Sequence, residues 1–297
     1  MDTRKVIKIV EVAPRDGFQI LPSFIPTNEK IALIESVIHA GCDEIEASSF
    51  VSPKWVPQLR DAEEVCGHLR ANGLDQKTEI TYLVPNMRGA ELAVNAGAHH
   101  IFVSTSASPL HCRENLNQTI DEVFSGAERI ATFAKERGVG ITVSIAAAFG
   151  YARDPEGVPT ERVLTLARRM QCAGFSKVNL CDTAGEANPK GVFDLCSTVV
   201  QALQVPVSVH LHQRDGIEFA NALAAADAGV RMFEAAVGGL GGCPYVPRAK
   251  GNIATEKLVR MFREMGYTLH ADPDLLDACA VIAKQLQADH GTDANCA

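Results

Sequence analysis

The feature of this sequence that most restricts its fold is a regular alternation of short apolar runs with longer segments of helical period. The run at 6–12, for example, is rich in β-branched residues, and apolar residues in the segment at 29–41 then recur every three or four positions. About eight such pairs follow one another in 297 residues. That number and length are typical of an α/β fold of the (β/α)8, or TIM barrel, class. We therefore predict a barrel of eight parallel strands surrounded by helices.

A doubly wound sheet could be built from the same alternation, but two observations favour the barrel. Such a sheet rarely needs so many units, and we find no GxGxxG motif opening the first helix. No low-complexity linker or break in composition divides the chain. We predict a catalytic barrel over residues 1–271, followed over 272–297 by an appended C-terminal helix and a polar tail.

Charge and cysteine content exclude several classes of protein. The formal net charge is −8, with 28 Lys and Arg against 36 Asp and Glu, which argues against a surface for nucleic acid or anionic membranes. The 9 cysteines follow no tight spacing framework, as expected for reduced thiols. A strand-like run begins within a few residues of the N-terminus, and no apolar stretch approaches the ~18 residues of a membrane span. We expect a cytoplasmic protein that binds neither nucleic acid nor membrane.

Several polar residues stand where predicted strands end. The carboxyl-terminal ends of barrel strands share one face, and this fold places its chemistry there. Asp182, which ends the sixth strand, is interpreted as a structural cap to its loop at least as readily as a catalytic group. The other candidates on this face are Arg15 and Asp16 after the first strand, Glu46 within the second, His210 and His212 at the seventh, and Cys243 and Asn252 after the eighth.

The two histidines of the seventh strand predict a metal site. Residues i and i+2 of a strand point to the same side, so His210 and His212 should both face the mouth of the barrel. Imidazoles beside carboxylate and amide oxygens suit Mn²⁺ or Mg²⁺, whereas four thiolates would have indicated zinc. The alternative is a pair of histidines at the edge of the core that bond to main-chain carbonyls. The alternating pair with carboxylates on the same face favours the metal.

Four segments resemble the 3-hydroxy-3-methylglutaryl-CoA lyase family, within a wider superfamily of metal-dependent lyases and Claisen synthases. The similarity runs from about Val6 to Tyr267, in the order of the family. The segment that carries the cysteine is specific to the lyases, whereas the HxH pair and the Arg-Asp turn are shared with isopropylmalate and homocitrate synthases. The four segments are VEVAPRDGFQ, SSFVSPKWVPQ, VHLH and GGLGGCPYVPRAKGNIATE.

This resemblance implies a divalent cation, Mg²⁺ or Mn²⁺, and a retro-Claisen reaction. A 3-hydroxyacyl-CoA, either the methylglutaryl ester or a close analogue, would be cleaved to acetyl-CoA and a keto acid. It also implies a homodimer, to which the C-terminal helix is a possible contact. The implied metal ligands are Asp16, His210, His212 and Asn252.

The resemblance also assigns roles to three further residues. Arg15 would stabilise the enolate that leaves, because a guanidinium keeps its charge. Glu46 would orient Asp16 or a bound water, and Cys243 would protonate the leaving carbon. The less specific interpretations are a rim ion pair for Arg15 and Glu46, and an unreactive turn residue for Cys243.

Two other functions remain open at this stage. A Claisen synthase or aldolase could use the same barrel to join an acyl-CoA to a 2-oxo acid, although the Cys243 segment and the lack of a large regulatory domain argue against it. A non-catalytic metal-binding homologue is the third possibility, and the complete set of candidate residues argues against that.

Some positions depart from the lyase pattern. Gln213 and Arg214 follow the second histidine where Asp-Thr is usual, and Thr142 stands near the position of a family arginine. Arg248 and Lys250 replace small residues. We infer that the walls contacting the acyl group have changed, and the resulting hypothesis is a substrate other than 3-hydroxy-3-methylglutaryl-CoA. The two basic residues could instead meet the CoA phosphates or be solvated.

Overall fold

The computed structural model describes residues 5–241 and 251–291. Eight parallel strands close into a barrel in chain order, and β1 pairs with both β2 and β8. The predicted (β/α)8 barrel is confirmed. The strands are β1 (Lys8–Glu11), β2 (Glu44–Ser49), β3 (Glu79–Leu83), β4 (His100–Ser106), β5 (Gly140–Ala146), β6 (Lys177–Cys181), β7 (Val207–His210) and β8 (Met232–Ala235).

Helices follow the strands, and several begin at a side chain that accepts from their first turn. Thr119 and Glu122 form a reciprocal capping box, and Asn86 accepts from the Gly89 N–H at 3.0 Å. Within the described ranges the helices are α1 (Thr27–His39), α2 (Ala62–Ala71), α3 (Met87–Ala96), α4 (Pro109–His111), α5 (Ile120–Glu136), α6 (Thr160–Ala173), α7 (Pro189–Ala202), α8 (Ile217–Asp227), α9 (Thr255–Glu264) and α10 (Pro273–His290).

The hydrophobic core lies between the barrel wall and the helices around it. Parallel strands covered in this way are buried on both faces, and β2, β7 and β8 are buried along their whole length. Phe124, Phe175, Phe233 and Phe262 are among the largest side chains that are completely buried there. This packing holds the ends of the strands in fixed positions around the barrel mouth.

The amino-terminal end of the barrel is closed by a buried ionic cluster. Lys177 at the start of β6 pairs with Glu44 of β2 and, at 2.6 Å, with Glu79 of β3. His100 contacts Glu79 through Nδ1 at 3.1 Å and the Thr142 hydroxyl through Nε2 at 2.8 Å. Since opposite charges compensate one another here, Lys177, Glu44 and His100 can be buried, while Glu79 at the rim is exposed.

The predicted C-terminal helix is confirmed as α10. Its first turn is capped by Asp272, whose Oδ1 accepts from the Asp274 N–H at 2.9 Å. Leu276, Cys279 and Ala283 of this helix join the same hydrophobic core as the barrel. The division of the chain at residue 272 stays a prediction. Over the described ranges, the structure contains no helix that is both long enough and apolar enough to cross a membrane.

Candidate metal centre and active site

A single π-helical turn, Ala13–Gly17, presents Arg15 and Asp16 directly after β1. Successive N–H groups, among them that of Asp16 at 2.7 Å, point to the main-chain oxygen of Val12. Such one-turn widenings are often found at functional sites because they redirect side chains. Asp16 is thereby brought to the mouth of the barrel, and its side chain is buried.

Asp16, His210 and His212 form a cluster that could hold a metal ion. One possible ligand atom from each residue lies within 4.8 Å of the other two. His210 ends β7, and His212 follows just beyond the strand, where it forms an isolated bridge with Asn252. The two rings pack edge to face with centroids 4.8 Å apart. The structure thus brings the predicted histidines and the predicted carboxylate together.

Both histidines are held in the tautomer that a metal ligand needs. His210 donates through Nδ1 to Glu234 Oε2 at 2.8 Å, and His212 donates through Nδ1 to the main-chain oxygen of Asp182 at 2.7 Å. Because both partners are acceptors, the proton lies on Nδ1 in each ring. The lone pair of each Nε2 is therefore free for a cation.

Asn252 adds an amide oxygen to this cluster. Its Nδ2 donates to Asp16 Oδ2 and to the main-chain oxygen of Leu240, both at 2.8 Å, while its buried Oδ1 has no hydrogen-bond partner in the described structure. A buried acceptor without a donor is costly and is expected to have another partner. Two imidazoles, a carboxylate and an amide oxygen fit a divalent cation such as Mg²⁺ or Mn²⁺.

Two isolated β-bridges hold the main chain around Asn252. Ala236 and Ala254 form a parallel bridge, and His212 and Asn252 an antiparallel one. Gly241 lies close to the ligands with a φ of +101°, and a Cβ there would stand 2.4 Å from Asn252 Nδ2 and 2.9 Å from Asp16 Oδ2. Only glycine fits at this position.

The electrostatics of the cluster favour the deprotonated forms of Asp16 and His212. Burial alone would raise the pKa of Asp16, but Arg15 and His210 together hold it below its usual value. Burial and the neighbouring His210 lower the pKa of His212 to about 4. His210 differs, since the Glu234 carboxylate overcomes the effect of burial and raises its pKa. At neutral pH, Asp16 is therefore charged and His212 neutral, as cation binding requires.

Arg15 connects Glu46 to Asp16. Its Nε donates to Glu46 Oε2 at 2.7 Å, a second guanidinium nitrogen contacts the same oxygen, and Nη1 donates to Asp16 Oδ1 at 2.7 Å. Burial raises the pKa of Glu46, and the charge of Arg15 opposes that rise. Glu46 therefore contacts Asp16 only through Arg15 in the described structure. The family resemblance implied that Glu46 orients Asp16 or a bound water.

Arg15, Asp16 and the two histidines line a cavity of ≈ 380 Å³ at the carboxyl-terminal face. Its described wall combines the ligands with apolar and hydroxyl side chains, and Trp55, which is 83% exposed, stands on it. The wall consists of Arg15, Asp16, Gln19, Ile20, Trp55, Val56, Leu83, Phe102, Ser104, His111, Ser144, Ala146, Cys181, Thr183, His210, His212 and Glu234.

Thr142 and Arg214 do not belong to the described wall of this cavity. Thr142 bonds to His100 in the cluster at the amino-terminal end, so the expectation that Thr142 stands beside the acyl group is wrong. Arg214 donates to the main-chain oxygen of Gly185 at 3.0 Å. The residues of β5 that face the cavity are Ser144 and Ala146.

Gln213 holds the main chain of Asn252 in place, since its Nε2 donates to the main-chain oxygen of Asn252 at 2.6 Å. Cys243, Arg248 and Lys250 lie outside the described residues.

Asp182 contributes to the site in two ways. Its main-chain oxygen accepts from His212, and its carboxylate accepts from the N–H groups of Glu186 and Ala187 in the following loop.

Sequence reasoning missed Glu234, which is buried in β8 and holds His210. The signal was available, because it is the only charged residue in the apolar run MFEAAV of the eighth predicted strand. A lone carboxylate in such a run needs a buried partner.

A closed barrel that collects these groups at the carboxyl-terminal ends of its strands is a TIM-barrel enzyme with its active site in the usual place for the fold. The sequence matches the model of the HMGL-like family over residues 6–283. The chain belongs to this family and is a carbon–carbon lyase of the hydroxymethylglutaryl-CoA lyase type.

Individual relatives agree with this assignment. The (R)-citramalyl-CoA lyase of Chloroflexus aurantiacus is 39% identical over 94% of this chain and 89% of its own. The HMG-CoA lyase of Brucella melitensis has a TM-score of 0.90 at 36% identity, covering 96% of this chain and 100% of its own. An HMG-CoA lyase of Acinetobacter baumannii, solved with coenzyme A and 3-methylmalate, has a TM-score of 0.88 at 34% identity over 100% of this chain and 99% of its own.

Replacing Glu234 by alanine should weaken Mn²⁺ binding by roughly 10- to 100-fold, the usual effect of removing the partner that orients a ligating histidine. Glu234→Gln is the matched control, since its amide oxygen can still accept from His210 and the loss should be smaller. Isothermal titration of Mn²⁺ into each variant measures the effect. Equal affinities for the wild type and the alanine variant would show that Glu234 does not orient a ligand.

Proposed function

We propose that this protein is a divalent-metal-dependent lyase that cleaves a 3-hydroxyacyl-CoA to acetyl-CoA and a keto acid. The observation that carries the proposal is the cluster of Asp16, His210 and His212, which line one cavity together with Arg15. The unpaired Oδ1 of Asn252, whose Nδ2 donates to Asp16, adds a fourth possible ligand. Asp16, His210, His212 and Asn252 would hold the cation, which would be Mg²⁺ or Mn²⁺.

The proposed reaction is a retro-Claisen cleavage. Bound at this site, the cation would polarise the substrate oxygens that it contacts. A general base takes the hydroxyl proton, and the electron pair left on the oxygen forms the second C–O bond of the keto-acid carbonyl as the C2–C3 bond breaks. The pair from that bond passes to the thioester as an enolate, which gains a proton at C2 to become acetyl-CoA.

Arg15 is suited to stabilise the enolate. Its guanidinium lines the cavity and stays charged throughout, and Glu46 and Asp16 hold it from two sides. Because the group is fixed before the reaction, little reorganisation is needed when negative charge develops. In this proposal Glu46 positions Arg15, and Cys243 supplies the proton that C2 takes up.

The relatives support a CoA thioester as the substrate. The name of one refers to citramalyl-CoA, and a solved neighbour was crystallised with coenzyme A and 3-methylmalate. The acyl portions in these names differ, so the family resemblance leaves the acyl group of this chain to experiment.

Incubating the protein and Mn²⁺ with a panel of 3-hydroxyacyl-CoA esters should release acetyl-CoA from at least one of them, detected by mass. The panel includes the 3-hydroxy-3-methylglutaryl and citramalyl esters. We expect another ester to be cleaved faster than the methylglutaryl one, because the sequence departs from the lyase pattern directly after the second histidine, at Gln213 and Arg214. Release from none would contradict the proposed function, and a strong preference for the methylglutaryl ester would contradict the altered specificity. The synthase alternative predicts the reverse reaction, condensation of acetyl-CoA with a 2-oxo acid.

We further propose a cytoplasmic homodimer. On α10, Leu275, Val281 and Ile282 are exposed, with Val281 69% exposed, and Leu275 and Ile282 lie seven residues apart and so share one side of the helix. Apolar side chains grouped in this way are typical of surfaces that another protein covers.

A further inference from the structure

His111 occupies the side of the cavity opposite the metal ligands. It follows β4, which lies four strands away from β8 in the closed barrel, whereas the ligands follow β1, β7 and β8. His111 is only 8% exposed and lines the cavity together with Phe102 and Ser104 of β4. A substrate bound at the ligands and extended across the mouth would reach this side.

The hydrogen bonds of His111 leave it with one unused donor. Asn115 donates through Nδ2 to His111 Nε2 at 2.5 Å, so the proton of the neutral ring lies on Nδ1. Nδ1 is buried and has no partner among the residues that the structure describes. A buried N–H without an acceptor is costly, so an acceptor beyond the described residues is expected, and a ligand in the cavity can supply it.

Neighbouring side chains fix the ring in place. Tyr151 packs against it edge to face with centroids 5.4 Å apart, and the Tyr151 hydroxyl donates to Glu114 Oε2 at 3.1 Å. The main-chain N–H of His111 donates to Ser108 Oγ at 3.1 Å. Burial lowers the pKa of His111, which keeps the imidazole a neutral donor at neutral pH. A fixed side chain of this kind can discriminate between ligands.

We propose that His111 determines substrate specificity by donating its Nδ1–H to a carboxylate at the end of the acyl group remote from the thioester. This inference rests on the proposed function. Arg15 is already paired with Asp16 and Glu46, and the described cavity wall contains no other arginine and no lysine. Among the described residues of the wall, neutral donors are therefore the groups left to take a second negative charge, and bonds to an ionised acceptor are the strong ones. Ser104, whose exposed side chain lines the same wall, provides a second donor.

The test compares two CoA esters that differ by the terminal carboxylate, 3-hydroxy-3-methylglutaryl-CoA and 3-hydroxy-3-methylbutyryl-CoA. His111→Phe removes the donor and keeps a ring, while His111→Asn retains an N–H close to the position of Nδ1. With the carboxylate ester, His111→Phe should raise KM by about 10- to 100-fold, as expected for a lost hydrogen bond to a charged group, with much less effect on kcat. His111→Asn should recover part of the loss, and the butyryl ester should respond to neither change.

Binding is measured separately from cleavage through the fluorescence of Trp55, the only tryptophan of the chain and a residue of the cavity wall. Each ester is titrated into wild type and variants with Mn²⁺ present. If the wild type prefers the carboxylate ester and His111→Phe abolishes that preference, the role of His111 stands even where no acetyl-CoA is released. Equal effects of His111→Phe on both esters, or a wild type that binds the two alike or binds neither, would overturn it.

Discussion

Replacing His212 by alanine should abolish tight Mn²⁺ binding and lyase activity together. His212 is one of three ligand groups within 4.8 Å of one another, and its Nδ1 is already bound to the Asp182 main-chain oxygen. A metal that polarises substrate oxygens is worth several kcal/mol of transition-state stabilisation. At about 1.4 kcal/mol for each factor of ten, kcat should fall by roughly 10³-fold or more.

Two measurements on the same preparation check this result. Bound Mn²⁺ is counted after gel filtration by elemental analysis, and turnover is followed with the ester that the panel identifies. His39→Ala is the matched control, since His39 is exposed on α1 and lies outside the cavity wall. Circular dichroism should show that the metal-free variant keeps its fold, as expected for a catalytic rather than a structural ion. Retention of Mn²⁺ by His212→Ala would show that the metal centre lies elsewhere in the protein.

Replacing Cys243 by serine should slow turnover by roughly 10²- to 10⁴-fold, the usual cost of losing a positioned proton donor. The reason comes from the family resemblance, in which this thiol protonates the leaving carbon. A serine hydroxyl is a much weaker acid than a thiol and cannot replace it efficiently. Metal content should not change, because none of the four proposed ligands is altered.

Single-turnover kinetics with the same ester separate chemistry from product release in the Cys243→Ser variant. Cys172→Ser provides the control for loss of a thiol, since Cys172 is exposed on α6. A decrease in rate of less than about threefold would remove Cys243 from the reaction, and a parallel loss of Mn²⁺ would assign it to the metal centre instead.

The sequence was a good guide to the side of the barrel on which each residue lies. Strand periodicity brings i and i+2 to one side, so His210 and His212 could be placed together without coordinates. Parallel strands end at a common face, which brings Asp16 close to both. The family resemblance added Asn252, and the unpaired Oδ1 in the structure is consistent with that addition.

The height of a residue along the barrel axis could not be predicted from the sequence in the same way. Residues two apart share a side but differ in height by about 6.6 Å, since each strand residue rises about 3.3 Å. Thr142 and Ser144 are such a pair, and only Ser144 reaches the cavity. Their heights depend on the register between strands, which pairs Thr142 with Phe102 and Lys177. His111 was not predicted for another reason, because the segment after β4 shows no hydrophobic periodicity from which the direction of its side chains could be inferred.

The two bridges around Asn252 allow the sequence between residues 241 and 251 to change in length without displacing the proposed metal ligands. The bridges of Ala236 with Ala254 and of His212 with Asn252 hold both ends of the intervening chain at fixed points, as does the bond from Asn252 to Leu240. When the ends of a connection are already held together, doubling its length adds only about 0.6 kcal/mol of closure entropy. Insertions between residues 243 and 251 that retain Cys243 could therefore arise during evolution, or be introduced in the laboratory, with Asn252 kept in register. The barrel could in this way acquire new substrates without rebuilding its metal centre.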